Sequence, residues 1–157
     1  MRIRIVTGTG AGRTALSAYD AALAAAGVHD YNLVAVSSVL PADATVEHVN
    51  TAPDLGPAGE QLTVVQSRAT VQEGTACAGL AWAREHAGPG LVYEAAGSDP
   101  DDARERVETG LAAGKELRDW EFADGGERYV TVDADAVAGN HATAVVLAVY
   151  GESRPLL

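Results

Sequence analysis

The stretch YNLVAVSSVLP, from Tyr31 to Pro41, decides how the rest of this chain is arranged. It begins as a mostly apolar, strand-like run and then passes two adjacent serines, Ser37 and Ser38, before it reaches Pro41. Proline cannot donate a hydrogen bond to a sheet, so Pro41 marks the turn that follows Ser38. The sequence therefore predicts a strand over Tyr31–Ser37 that ends at a turn bearing two hydroxyl groups.

A Ser-Ser pair held in a strained turn can modify its own backbone. The hydroxyl of Ser38 can attack the carbonyl carbon of Ser37 and turn the amide into an ester. β-Elimination then breaks the chain, and the dehydroalanine left at residue 38 hydrolyses to a pyruvoyl group. Such a ketone condenses with amines and acts as an electron sink, a task usually given to a bound cofactor. Most Ser-Ser pairs are ordinary turn residues, however, so the dipeptide alone favours no chemistry.

Length and composition predict a single globular domain over residues 1–157. The chain has 157 residues, of which 47% are apolar, enough to bury a substantial core. No window approaches the roughly 18 apolar residues of a membrane span, and Met1–Ile3 enters a strand without a signal-peptide pattern. We therefore expect a soluble, cytoplasmic protein. The single cysteine, Cys77, excludes an intramolecular disulfide and a cysteine metal cluster, and it predicts a buried small side chain.

The charge balance is strongly acidic. The chain carries 22 acidic and 11 basic residues, a net charge of −11, and Lys115 is its only lysine. This argues against nucleic acid and anionic membranes as partners, because both require clustered basic residues. The acids are dispersed along the chain, which is typical of adaptation to high salt, where a Debye length of about 3 Å at 1 M screens self-repulsion. We expect a halophilic protein.

The segments before the Tyr31–Pro41 stretch predict a strand, a loop and a helix. Arg2–Thr7 alternates polar and apolar residues, as a half-buried strand does, and the glycine-rich segment Gly8–Thr14 reads as a flexible loop. That loop lacks the Lys-Ser/Thr pair of a phosphate-binding Walker loop. A helix is expected over Ala15–Ala26, with Thr14 as its N-cap and Gly27 at its end. Its buried face should contain Leu16, Tyr19, Leu23 and Ala26.

The remaining chain predicts mostly strands. A short strand is expected within Thr45–Asn50, a second over Leu62–Val71, and a hairpin formed by Cys77–His86 and Leu91–Ala96. A second helix, capped by Ser98–Asp101, should run to about Lys115. Further strands are expected at Trp120–Phe122, Arg128–Val132 and Ala142–Tyr150. Two helices with seven or so strands in mixed order indicate an α/β fold of the α+β sandwich type, with a mixed, largely antiparallel sheet.

Several segments together resemble one family, the pyruvoyl-dependent arginine decarboxylases. The matching segments occur in the order and at the spacing of that family: Thr14–Leu23, Ala26–Val28, Tyr31–Val34, Val36–Pro41 and Gly90–Gly97. The resemblance implies self-cleavage into a β chain, Met1–Ser37, and an α chain, Ser38–Leu157, with a covalent pyruvoyl group made from Ser38. It implies decarboxylation of L-arginine to agmatine and CO2 without pyridoxal phosphate, in homotrimers whose active sites lie between neighbouring subunits.

The resemblance also assigns roles to five positions. Ser38 and Glu94 would be catalytic, with Glu94 as the proton donor, and Ser37–Ser38 would be the cleavage site. Asp20, eighteen residues before Ser38, would contact the substrate guanidinium, as a planar carboxylate can with two parallel hydrogen bonds. Asn32, six residues before Ser38, would lie near the cleavage site and the substrate. A carboxylate in an apolar strand such as that around Glu94 should also have a raised pKa, which suits a proton donor.

Each of these residues also has a purely structural interpretation. Asp20 can be a boundary residue bonded to a neighbour, Asn32 can satisfy loop backbone, and Glu94 can face outward from its strand. Two alternative functions also remain open: a pyruvoyl-dependent decarboxylase of another amino acid, or an uncleaved binding or assembly subunit with the same fold. No metal site is expected, because the acids at Asp133 and Asp135 lack the other positions of a calcium loop.

Overall fold

Two β-sheets pack face to face, and each carries one helix on its outer surface. The computed structural model describes all 157 residues. The elements in chain order are β1 (Arg2–Gly12), α1 (Ala15–Ala26), β2 (Asn32–Ala35), β3 (Val39–Leu40), β4 (Thr45–His48), β5 (Gln61–Val71), β6 (Thr75–Glu85), β7 (Gly90–Gly97), α2 (Pro100–Glu116), β8 (Phe122–Asp133), a 3₁₀ turn (Ala134–Ala136) and β9 (His141–Arg154).

The first sheet has the strand order β2-β5-β9-β1-β4, and the second has the order β3-β7-β6-β8. All pairs are antiparallel except β1 with β4 and β2 with β5. One apolar core lies between the sheets, another between α1 and the first sheet, and a third between α2 and the second sheet. The predicted α+β sandwich of mixed, largely antiparallel sheets is confirmed, with nine strands rather than about seven.

The first strand is longer than its sequence pattern predicts. The glycine-rich segment from Gly8 to Gly12, expected to be a flexible loop, continues β1 and pairs with β9 from Val145 to His141. A Cβ atom at Gly8 or Gly10 would overlap the backbone of α1 at Ala22. The loop prediction was wrong because these glycines permit close packing of a helix on a strand and do not serve to make the chain flexible.

Helix α1 confirms its predicted ends and, at Leu23 and Ala26, part of its predicted buried face. Thr14 forms a capping box with Ser17, and Gly27 ends the helix in the left-handed region at φ 81°. The buried residues are Ala18, Ala22, Leu23 and Ala26. Leu16, expected in the core, is 75% exposed. The correction follows from the close approach to β1, since the contact face must be made mainly of alanines and the larger Leu16 is left outside.

Other strand predictions were confirmed or need small corrections. The hairpin of Cys77–His86 with Leu91–Ala96 is present as β6 and β7. The strand predicted at Arg128–Val132 is confirmed as part of β8, whereas the strand predicted at Trp120–Phe122 is wrong, because only its last residue belongs to β8. The two segments are not separated by a turn, since β8 runs unbroken from Phe122 through Gly125 and Gly126. These glycines resemble a turn in the sequence, but they lie against Trp82 where larger side chains would clash. Cys77 is buried as expected. Neither helix combines the length and apolar character that would let it cross a lipid bilayer.

Candidate active site

The Ser37–Ser38 peptide lies where the chain crosses from the first sheet to the second. Strand β2 ends at Ala35 and β3 begins at Val39, so the predicted strand over Tyr31–Ser37 is shorter than expected. Ser38 has a φ of 71°, in the left-handed region that a non-glycine residue adopts at a cost of roughly 1–3 kcal/mol. A strained turn therefore does occur at the second serine, as the sequence analysis required.

Backbone hydrogen bonds hold this turn on both sides. Before it, the N–H of Val36 donates to the carbonyl of Val64 at 3.1 Å. After it, the N–H of Val92 donates to the carbonyl oxygen of Ser38 at 2.9 Å, and Val39 pairs with Leu91. Two different sheets thus fix the residues that flank the Ser37–Ser38 bond, so the surrounding structure can maintain the strained conformation.

Glu94 projects from β7 toward the same place. Side chains alternate along a strand, and Val92 and Ala96, two positions to either side, both pack on the core between the sheets. Desolvation by burial raises the pKa of the Glu94 carboxyl, while its own backbone N–H and the Ser38 side chain partly oppose that rise. Glu94 as a whole residue is nevertheless exposed in the single chain. The raised pKa predicted for Glu94 is therefore present, and its carboxyl interacts with the Ser38 side chain.

Ser38 and Glu94 share one cleft with a volume of about 240 Å³. Its lining contains both serines, three further residues of β7 and one arginine from beyond α2: Ser37, Ser38, Leu91, Val92, Tyr93, Glu94 and Arg118. The cleft therefore combines two serine hydroxyl groups, one carboxyl group whose pKa is raised and one guanidinium.

Helix α2 positions two lining residues that the sequence analysis did not identify. The ring of Tyr93 occupies the space left by Gly110 and Gly114, where a Cβ atom would collide with it. Arg118 donates from Nη1 to the carbonyl of Gly114 at 2.9 Å, and its guanidinium lies 5.5 Å from the ring centroid of Trp120. The local sequence around Arg118 does not indicate a role in a site, because an arginine just after a helix is usually a helix-end or surface residue.

A third overlooked residue is Tyr150 at the end of the apolar run in β9. Its hydroxyl donates to the carbonyl oxygen of Val39 at 3.0 Å. Burial, with a smaller contribution from the charge of Glu94, raises the pKa of Tyr150 to about 12. The sequence does contain a signal for this role, because Tyr150 ends an otherwise apolar strand and a buried tyrosine hydroxyl requires a hydrogen-bond partner.

The structure does not bring Asp20 or Asn32 into this cleft. Asp20 is exposed on α1, in a shallow groove with Leu16 and Tyr19. Asn32 is also exposed, and its Nδ2 donates to the carbonyl of Gly59 at 2.7 Å, which matches its structural interpretation. A role for either residue in substrate binding stays a prediction. The structure contains no group of three or more His, Cys, Asp or Glu side chains placed to hold a metal ion.

Comparison with known proteins identifies the family. The family model described as pyruvoyl-dependent arginine decarboxylase matches residues 2–155. This chain belongs to that family. A pyruvoyl-dependent arginine decarboxylase of Halobacterium salinarum is 57% identical over 157 residues, which covers 99% of this chain and 97% of the relative. Pyruvoyl-dependent arginine decarboxylases of two other organisms are also similar. That of Methanopyrus kandleri is 36% identical over 66% of this chain, and that of Pyrococcus abyssi is 32% identical over 72% of it. The Halobacterium relative agrees with the expected halophilic character.

The pyruvoyl-dependent arginine decarboxylase family depends on a covalent pyruvoyl group and not on pyridoxal phosphate or a metal ion. The residues around Ser38 fit such a group. The serine has the strained backbone, its carbonyl oxygen is held by Val92, and the Glu94 carboxyl lies in the same cleft. In this chain the two matching sequence blocks thus place Ser38 and Glu94 in one cleft.

Proposed function

We propose that the chain cleaves itself between Ser37 and Ser38 and that the product decarboxylates L-arginine to agmatine and CO2. The observation that carries this proposal is the left-handed Ser38 beside Glu94 in one cleft, in a chain of the pyruvoyl-dependent arginine decarboxylase family. Cleavage gives a β chain, Met1–Ser37, and an α chain, Ser38–Leu157. Ser38 becomes the pyruvoyl residue at the new end of the α chain.

The strained turn supports the cleavage step. The Ser38 hydroxyl oxygen forms a bond to the carbonyl carbon of Ser37, and the C–N bond between the two residues breaks. Conversion of this amide into an ester relieves the left-handed conformation imposed at Ser38, since the connection to Ser37 then runs through the side chain. Elimination releases the Ser37 carboxylate, and hydrolysis at residue 38 releases ammonia.

In decarboxylation, the pyruvoyl carbonyl would condense with the substrate amine and accept the electron pair left by CO2. The chain supplies three functions around it. Val92 donates its N–H to the carbonyl oxygen of residue 38, where it stabilises negative charge. Glu94, with its raised pKa, holds the proton that replaces the lost carboxylate. Arg118 offers a cation in the same cleft.

We assign the substrate guanidinium to Asp20 of a neighbouring subunit in a homotrimer. Asp20 lies outside the Ser38 cleft, whose volume of about 240 Å³ is below the roughly 300–1,000 Å³ typical of small-molecule sites. Exposed apolar residues lie beside both Asp20 and the Ser38 cleft: Leu16 is 75% exposed and Val39 is 45% exposed. Subunit contact would cover them and enlarge the cleft. Asn32 would act at this boundary by fixing the Gly59 loop.

The acidic composition supports a high-salt cytoplasm as the site of action. The deciding experiment is an intact-mass measurement under denaturing conditions, followed by CO2 release from arginine, lysine, ornithine, aspartate and histidine. We expect two fragments that meet at Ser37/Ser38, the larger lighter than its serine-started sequence by the mass of one ammonia, and release from arginine above all. A single full-length mass would support an uncleaved binding subunit, and preference for another amino acid would overturn the substrate.

A further inference from the structure

A second cleft, with a volume of about 630 Å³, lies where β1 begins and β9 ends. It shares no residue with the Ser38 cleft. Three of its lining residues are arginines, Arg2, Arg4 and Arg154. The chain contains only ten arginines and has a net charge of −11, so three guanidinium groups at one cleft contrast with the acidic character of the molecule.

The position of Arg4 follows from strand geometry. Side chains alternate along β1, and Val6 packs in the core under α1, so Arg4 projects on the same outer face of the first sheet. Its alternating sequence pattern predicted a solvent-facing residue, yet Arg4 is only 7% exposed. It lies between Val149 of β9 and Glu47 of β4. The Arg4 side chain is therefore largely shielded from water.

The guanidinium of Arg4 has no adequate partner in the protein. Its Nη1 atom is buried and makes no hydrogen bond. Its Nε lies 3.8 Å from Oε1 of Glu47, and the Nε of Arg2 lies 3.5 Å from the same oxygen, both too far for a good hydrogen bond. By contrast, Arg118 and Arg84 donate to backbone carbonyls. No side-chain hydrogen bond is made by Arg2, Arg4 or Arg154.

Such an arrangement calls for an acceptor from outside the chain. A buried charge without hydrogen bonds is strongly unfavourable, and each such group in a native structure requires an explanation. Arginine presents planar pairs of N–H donors that match the oxygens of a phosphate or a similar anion. Asp43 and Glu152 also line the cleft and oppose an anion. The site should therefore prefer a multivalent oxyanion to chloride, because several guanidinium groups can bind such an oxyanion at once.

We propose that Arg2, Arg4 and Arg154 form a binding site for a tetrahedral oxyanion, a phosphate group in free or small-molecule form. The anion accepts hydrogen bonds from the Arg4 guanidinium where it lines the cleft and from the two more exposed arginines. Binding ties the start of β1 to the end of β9 and so stabilises the fold. This site is independent of the proposed decarboxylation, because it uses none of the residues assigned to that reaction.

The test is calorimetric titration of the whole protein with inorganic phosphate in a constant background of molar potassium chloride, with melting temperature as a second readout. We expect saturable binding and a rise in melting temperature. Arg154→Gln should weaken the affinity about tenfold, the loss expected for one charge-assisted hydrogen bond. Arg13→Gln is the matched control, since Arg13 is exposed and lies outside the cleft. A second arm with glycerol 3-phosphate shows whether a substituted phosphate is accepted.

Saturation by either ligand, with weakening in Arg154→Gln and not in Arg13→Gln, supports the site. Absence of saturable binding by both ligands would overturn the proposal, as would equal responses of the two variants. If Arg154→Gln instead dissociates the oligomer without changing phosphate binding, the arginines belong to a subunit interface. Arg154 is exposed, so its substitution should leave the fold intact, whereas Arg4→Gln removes a buried side chain and is less informative.

Discussion

The hydroxyl of Tyr150 donates a 3.0 Å hydrogen bond to the carbonyl oxygen of Val39, a residue 111 positions earlier in the chain. Val39 directly follows Ser38, whose own carbonyl oxygen accepts from Val92 at 2.9 Å. Two successive carbonyl groups are therefore held by donors from opposite sheets. After cleavage, Val39 would be the second residue of the α chain, so Tyr150 anchors the end that carries the proposed pyruvoyl group.

Replacement of Tyr150 by Phe should slow self-cleavage and lower kcat. The ring still fills its place in the core, but the Val39 carbonyl loses its donor. We expect a loss of about 1 kcal/mol in the free energy of unfolding, the usual contribution of one hydrogen bond. Unfolding is best followed in a Ser38→Ala background, which keeps the chain whole, and cleavage by intact mass over time.

Tyr31→Phe is the matched control for this variant. The Tyr31 hydroxyl donates to the carbonyl of Gly56 and accepts from the N–H of Leu55, in a loop outside the Ser38 cleft. It should lose similar stability while cleavage and kcat stay normal. Equal cleavage rates in the two variants would assign Tyr150 a purely structural role.

Ser38→Ala should leave one uncleaved chain of 157 residues, because alanine has no oxygen to attack the Ser37 carbonyl carbon. Ser37→Ala is a close control, since Ser37 contributes its carbonyl group and not its hydroxyl to the proposed step. We expect Ser37→Ala to be cleaved, with intact mass as the readout. Efficient cleavage of Ser38→Ala would disprove self-processing at this bond.

Glu94→Gln should fold and cleave but lose decarboxylation by about 10²–10⁴-fold, the usual contribution of a positioned acid. Because the pKa of Glu94 is raised, the wild-type protein should lose kcat as pH rises through that pKa and the donor ionises. A profile of kcat against pH in wild type measures this limb. Near-normal turnover by the variant would remove the proposed role.

The same shift predicts a stability difference with a defined sign. The folded protein holds the Glu94 proton more tightly than the unfolded chain does, so its stability falls as pH rises from the unfolded pKa to the raised folded one. Glu94→Gln lacks this titration. Its melting temperature relative to wild type should therefore be higher at neutral pH than in acid, and a constant difference across pH would contradict the raised pKa.

Asp20→Asn should permit cleavage but raise KM for arginine about tenfold or more, since a charge-assisted contact to the guanidinium is lost. The assignment to a neighbouring subunit is tested by co-expression of Asp20→Asn with Glu94→Gln. Mixed oligomers would contain sites that combine an intact Asp20 from one chain with an intact Glu94 from the other. Activity at low arginine concentration should then exceed the sum of the separate variants. No such recovery is expected if both residues act within one subunit.

The sequence was sufficient for the local features of the fold and site. Thr14 and Gly27 marked the ends of α1 because caps are local, and the family blocks paired Ser38 with Glu94. The sequence was not sufficient where contacts with distant residues determine the local structure. Gly8 and Gly10 resembled a loop because their close contact with α1 involves residues about fourteen positions away, and Leu16 was placed in the core by periodicity alone. Arg118 reaches the cleft and Tyr150 reaches the neighbouring Val39 from distant segments, which no local pattern reveals.

The placement of β1 within the first sheet has a consequence for the mature protein. Strand β1 lies between β9 and β4, and β2 pairs with β5, so every strand partner of residues 1–37 belongs to residues 38–157. Cleavage at Ser37–Ser38 would leave these ladders intact and remove only the covalent crossing between sheets. A mature molecule that unfolds would have to reunite two separate chains, so its recovery would depend on concentration. Maturation would thus turn refolding from an event within one chain into an encounter between two.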